Sequence, residues 1–180
     1  TNLPSCLTLR GYFQCWKYLV GHEQELREEL RLISRPTQWF STQAEELLDL
    51  GPFVAMQVRL GDYLLDPNFG HLTSHYYEAA LEHLGGGSDP VVVFSDEPAR
   101  VYDLPVLKRM GNRQLVIVAP PSDSNPIESL NLMALANETI ISNSTFGWWG
   151  AWLGHDRVRG SVIAPSPWLS STKFVEQDLI

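Results

Sequence analysis

At 180 residues, with 44% hydrophobic and 19% charged side chains, the chain is long and apolar enough for one domain with a real core. A formal net charge of −8 argues against general nucleic-acid binding, while a locally positive pocket for a small anion stays open. No apolar run is long enough to cross a bilayer as a helix, so no transmembrane segment is expected. The first residues, TNLPSCLTLR, lack the charged region and apolar core of a signal peptide, and the chain reads as a trimmed form or a fragment.

From Thr1 to Leu50 the pattern is mainly helical. His22 to Ile33 puts Leu26, Leu30 and Ile33 on one face, leaving its Glu and Arg residues as a solvated face. A second helix is expected over Thr42 to Leu50, stopped by Gly51-Pro52. Trp16, Tyr18, Trp39 and Phe40 read as packing residues. Cys6 and Cys15 are too few for a disulfide framework and have no metal-ligand spacing, so free thiols are expected. The sequons at Asn137 and Asn143 fall inside packed segments and read as chance matches.

From Phe53 the chain alternates between strands and helices. A strand over 53–58 leads to a loop from Arg59 to His71, then to a helix near 74–84. Gly85-Gly86-Gly87 precedes a strand at 91–94, and Pro98 and Pro105 bracket a short helix. A strand over 114–118 ends at Pro120-Pro121. Next comes a helix with a start signal: Asn125 as N-cap, Pro126 in first position, and Glu128 placed to bond back to the backbone. Thr139-Ile140-Ile141 suits a buried strand. A small polar turn over 143–147 is followed by Trp148, Trp149 and Trp152, read as core. A last strand covers 161–164.

This alternation implies right-handed crossovers and a largely parallel sheet covered on both faces. The expected fold is α/β and Rossmann-like. Residues 1–52 form a helical lead-in that packs on a domain over 53–180, one compact unit overall. Such sheets bind ligands outside the carboxyl ends of their strands, where Arg59, Asp96, Asn143 and Ser144 fall. A guanidinium there fits phosphate oxygens and keeps its charge; the plainer reading is a surface arginine paired with Asp62. Asp62 is either a general base or a turn residue that orients Arg59. Asp96 either bonds a nucleotide or caps the helix at Pro98. The turn before the tryptophans is a generic anion site, because free backbone N–H groups at a helix start point outward. Tyr63 and the loop over 68–71, including His71, are placed to face a sugar or acceptor.

Four ordered segments carry a resemblance. The run ESLNLMALANETIISNSTFGWWGAWL, from Glu128 to Leu153, is similar to a signature of the α-1,2-fucosyltransferases, glycosyltransferase family 11. VRLGDYL at 58–64 resembles the family's H-x-R-R-G-D-Y motif, VVVFSDE at 91–97 its strand ending in an acidic pair, and GYFQCWKYL at 11–19 its G-Y-W-Q segment. The match runs from about residue 9 to residue 168. It implies the donor-binding lobe of a GT-B-type enzyme that moves fucose from GDP-fucose to a saccharide hydroxyl, with a galactoside acceptor. Inversion, an α-1,2 link and no metal or other cofactor go with it.

Carried over residue by residue, Arg59 contacts the donor's pyrophosphate and helps the nucleotide leave. Glu128 accepts guanine's edge donors, or simply closes the capping box. Gln57, Arg59, Asp96, Glu128, Asn143, Ser144, Thr145 and Phe146 bind the donor, with Arg59 and Asp62 as the catalytic pair. Two positions depart from the motif: Gln57 stands where the family has His, and Leu60 where it has a second Arg. Gln cannot take up a proton near neutral pH, so no histidine base is available there. The family's Gly-rich G-L-G-N-Q segment is also missing. The alternatives are therefore a non-catalytic GDP-sugar-binding domain, an oligomer or absent amino-terminal lobe completing the cleft, or a GDP-fucose-dependent transferase acting on a protein. A bacterial cytoplasmic enzyme working on surface-polysaccharide precursors is expected, with the Golgi lumen as the other location.

Overall fold

The computed structural model describes residues 8, 15–31, 35–64, 69–70, 72–85, 87–155 and 160–169. Asn68, His71, Cys6 and residues 11–14 of the 11–19 segment lie outside them. Cys15 carries a free thiol.

Five parallel strands form one sheet in the order β3-β2-β1-β4-β5. They are β1 (Val54–Val58), β2 (Val91–Ser95), β3 (Leu115–Val118), β4 (Glu138–Ile140) and β5 (Val162–Ile163). β1 and β2 are Val-rich because both faces of each are covered. The chain moves outward from β1 to β3, returns across the sheet through α6 (Pro126–Met133) to β4, and then passes through α7 (Thr145–His155) to β5. The strand order reverses between β1 and β4, which opens a crevice at their carboxyl ends.

Alternate residues of β1 feed two cores. Val54, Met56 and Val58 pack with Tyr77, Ala80 and Leu81 of α3 (Ser74–His83) and with Val101 and Val106 of α4 (Pro98–Val101) and α5 (Pro105–Lys108). On the other face Phe53 and Ala55 pack with Leu132 and Met133 of α6, Ala151 of α7 and Leu47 of α2 (Gln38–Asp49). Gln57 and Arg59 share this second parity, which turns both toward α6 and α7. The short helix expected between Pro98 and Pro105 is α4, and Pro105 opens a further one, α5; each has its proline in the first turn.

The amino-terminal helices are docked by polar contacts. On α1 (Glu23–Arg31), Arg27 and Arg31 each donate from Nη2 to a carbonyl at the carboxyl end of α7, Trp152 at 3.2 Å and Leu153 at 2.7 Å. Cations suit the negative end of a helix dipole. Asn131 of α6 reaches back to the Leu30 carbonyl at 2.9 Å. The solvated face expected for α1 therefore carries two arginines that tie it to the domain. Helix α2 starts at Gln38, four residues before the expected Thr42, because Thr37 caps it by accepting from the Phe40 N–H at 3.1 Å.

Some packing expectations fail. Trp16 and Tyr18 are exposed, whereas Trp39 and Phe40 do pack on the second core. Trp148, Trp149 and Trp152 are half-buried; Trp148 packs against the second core, while Trp149 and Trp152 are not part of it. Their rings contact one another, and the Arg27 guanidinium lies 3.9 Å from the Trp152 ring centre. The helix buries its small residues instead, Gly147, Gly150, Ala151 and Gly154, which lets α6 and β4 approach closely.

The Tyr76 hydroxyl sits 2.6 Å from the carbonyl oxygen of Ile141, just past β4, and 3.2 Å from that of Ile163, the last residue of β5. Burial pushes its phenol up, so it stays a donor. Tyr76→Phe is expected to cost about 1 kcal/mol in urea unfolding.

Candidate functional site

A cleft of about 310 Å³ lies at the carboxyl ends of β1, β2 and β3, walled by α6 and α7. Gln57, Arg59, Phe94, Ser95 and Asp96 form its floor; Pro126, Ser129 and Phe146 come from the two helices. The size suits a small molecule, and apolar walls with a few convergent polar groups are what such pockets show.

Arg59 is held between two carboxylates. Its Nη2 lies 2.7 Å from Asp62 Oδ1, its Nε lies 3.1 Å from the same oxygen, and Nε is 3.3 Å from Asp96 Oδ2. The Tyr63 ring stands 5.2 Å from the guanidinium carbon. Asp62 is mostly exposed, opening a single helical turn over Asp62–Leu64, so it orients Arg59 without leaving solvent.

Asp96 does not take the capping role that was one of its two expected tasks: the N-cap position of α4 is Glu97, without a side-chain cap bond. Its two oxygens instead accept the Leu60 and Gly61 N–H groups, both at 2.9 Å. One carboxylate thus clamps the backbone directly after Arg59 and faces the cleft with what remains. A Cβ on Gly61 would fall 2.5 Å from Asp96 Oδ2, so only glycine permits the clamp. Gly61→Ala is expected to dislodge Asp96 and loosen Arg59. Ligand binding at the cleft should weaken severalfold in titration calorimetry, with little change in melting temperature because Gly61 is not in the core.

Helix α7 begins at Thr145, earlier than the tryptophan run suggested, so the small polar residues form its first turn. The Ser144 carbonyl accepts from the Trp148 N–H at 3.0 Å, and Phe146 of this first turn lines the cleft. Asn143 is buried and donates from Nδ2 to the Phe69 carbonyl, which ties the β1–α3 loop to this turn. Tyr63 stacks on Phe69 at 4.2 Å, with Ser144 beside its phenol. Burial pushes the Tyr63 phenol up, against the opposing pull of Arg59. The ring thus has Phe69 stacked on it and the Arg59 guanidinium nearby.

Gln57 is buried, and its Oε1 accepts the Ser142 N–H at 3.0 Å and the Ser142 hydroxyl. A Cβ on Gly147 would stand 2.7 Å from that oxygen, so the first turn of α7 is fitted to this side chain.

Glu128 departs furthest from expectation. It is 1% exposed, and its carboxylate accepts the Thr37 N–H at 2.7 Å and the Thr37 hydroxyl at 3.0 Å. The capping box is not closed: Asn125 caps α6 alone, accepting from the Ile127 N–H. The next residue, Ser129, lines the cleft instead. Nothing in the sequence around Ser129, Ser124 or Pro126 marked them as lining residues, because only the placement of α6 brings them there. Thr37 did carry a signal, a threonine after Pro36 and before Trp39-Phe40. Arg59, Asp96, Gln57 and Phe146 therefore meet in the cleft, with Ser144 outside its lining, while Glu128 faces the lead-in. Among the described residues no three His, Cys, Asp or Glu side chains gather as metal ligands, and no helix is long and apolar enough to cross a membrane.

The architecture and the sequence have known counterparts. The crystal structure of POFUT1 in complex with GDP superposes with a TM-score of 0.50 over 73% of this chain and 47% of that one, at 17% identity, a likeness of fold. An α-1,2-colitosyltransferase of Escherichia coli is 31% identical over 170 residues, which covers 88% of this chain and 54% of that protein. The O-antigen biosynthesis glycosyltransferase WbnK, also of Escherichia coli, is 29% identical over 64% of this chain and 39% of its own length. The chain spans about half the length of these relatives or less. With residues 2–178 matching the model of glycosyl transferase family 11, the chain belongs to that family.

Proposed function

We propose that this chain is the donor-binding part of a glycosyltransferase that passes fucose from GDP-fucose to a saccharide hydroxyl. The acceptor is a galactoside, and the α-1,2 link forms with inversion. The observation that carries the reading is the convergence of Arg59, paired with Asp96, and Phe146 in the first turn of α7 on one cleft at the carboxyl ends of the strands.

The reaction breaks the bond between the sugar carbon and the pyrophosphate oxygen, and charge grows on that oxygen. Arg59 and the α7 N–H groups are positioned to stabilise it, work that lowers such barriers by several kcal/mol. Neutralisation by these groups is why the transfer is read as metal-independent. Asp62 serves Arg59 as an orienting carboxylate, and its exposure leaves it open to the acceptor's proton. A colitosyl group is the second reading for the sugar, favoured by the 31% identical relative named for that transfer. Both relatives come from Escherichia coli, which supports a bacterial cytoplasmic setting on surface-polysaccharide precursors.

Calorimetric titration with GDP, UDP and ADP in EDTA tests the donor site. Selective GDP binding that EDTA leaves intact is the expected result. If the folded chain binds no nucleotide, the lobe alone is not a donor site. Incubation with GDP-fucose and galactosides then separates a transferase from a non-catalytic binding domain, and a protein acceptor in the same assay covers the third case.

A further inference from the structure

Gln57 occupies the place where the family motif has histidine, and its surroundings give the side chain a fixed polarity. Its residue is 2% exposed, yet it contributes to the cleft wall. The atom facing Ser142 must be Oε1, because a backbone N–H can only donate; Ser142 N lies 3.0 Å away, and the Ser142 hydroxyl donates to the same oxygen. Gly147 makes the space that Oε1 occupies, since a Cβ there would stand 2.7 Å from it. Among the described residues Nε2 donates to nothing, and with the oxygen committed to Ser142 it is the end of the amide left for the cleft.

We propose that Gln57 is a donor-only ligand contact, locked in that polarity by Ser142, and that it recognises a hydrogen-bond acceptor oxygen of the bound nucleotide. This rests on the donor-site reading and deepens it. The oxygen is either a carbonyl of the base or an oxygen of the diphosphate, and Nε2 treats both alike. A carbonyl-bearing base is accepted where an amino group at the same position is refused, because two donors face each other. Unlike a histidine, the amide does the same at every working pH. Ser142 is a positioning residue: it touches no ligand, and acts by keeping Gln57 from turning over.

The test compares GDP, IDP and inorganic pyrophosphate by calorimetry on the wild-type chain and three variants. Gln57→Glu keeps an oxygen for Ser142 while turning an acceptor toward the ligand. It is expected to melt like the wild type and lose tenfold or more in GDP affinity. Ser142→Ala leaves Gln57 held by one bond and is expected to lose severalfold. Gln57→Met removes the donor without adding charge and decides the source. Loss for GDP and IDP with pyrophosphate unchanged assigns the base carbonyl; equal loss for all three assigns the diphosphate. Wild-type GDP affinity in Gln57→Glu would overturn the proposal and leave Gln57 as a pin for the β4–α7 turn. Should Gln57→Glu not fold, unchanged affinity in Ser142→Ala overturns it instead. A wild-type chain that binds no nucleotide removes the donor-site reading itself, and this inference with it.

Discussion

Replacing Arg59 by Ala is expected to weaken GDP binding by at least tenfold, with the fold intact. The guanidinium is the one cation lining the cleft among the described residues, and hydrogen bonds to charged groups are worth about 1.5–3 kcal/mol, or roughly ten- to 150-fold in affinity. Two local facts push the loss toward the upper end. Asp96 is clamped by the Leu60 and Gly61 N–H groups, so it stays in the cleft when Arg59 is gone, and its charge then faces the phosphates unopposed. Asp62, being exposed, turns into solvent and adds little. Arg59→Lys should recover part of the affinity, because it restores charge without the planar fork. Calorimetry on the three proteins checks the order. Equal binding by wild type and Arg59→Ala would mean that the cleft is not where the nucleotide sits.

The second large effect is on stability. Glu128→Ala is expected to destabilise the chain by about 3 kcal/mol, which for this size lowers the melting temperature by roughly 6–12 °C. The carboxylate is fully buried and accepts two hydrogen bonds from Thr37, and Thr37 in turn caps α2. Truncation leaves the Thr37 N–H without its acceptor and loosens the cap, worth about 1 kcal/mol by itself. Glu128→Gln should cost less, since one amide oxygen can still take the N–H while the NH₂ group donates to the hydroxyl. Urea unfolding of both variants gives the comparison. A Glu128→Ala chain as stable as the wild type, yet unable to tell GDP from ADP, would return Glu128 to the guanine-reading role that the family resemblance implies.

Local signals carried far along this chain. The Val-rich runs, the proline-started helices and the helix start at Asn125 are short-range features, and each element formed close to its expected limits. Where one missed, a neighbour in space was the cause. Helix α2 began early because Thr37 is held by Glu128, ninety-one positions later in the chain. The tryptophans sit on the rim of α7, since close packing against α6 and β4 selects the small residues for the buried face.

Sequence by itself determined the parallel α/β architecture, the family, and the cluster of Arg59, Asp96 and the Ser144 turn at one end of the sheet. Strand periodicity and the rule that ligands sit at carboxyl ends require nothing beyond the order of residues. Only the tertiary structure decided what each polar side chain does there. It turned Asp96 from a helix cap into a backbone clamp, took Glu128 out of the cleft, put Ser129 in its place and aligned the Gln57 amide against Ser142. The physical reason is that a buried polar group takes whichever partner the packing brings within hydrogen-bond reach, and that partner is usually distant in sequence.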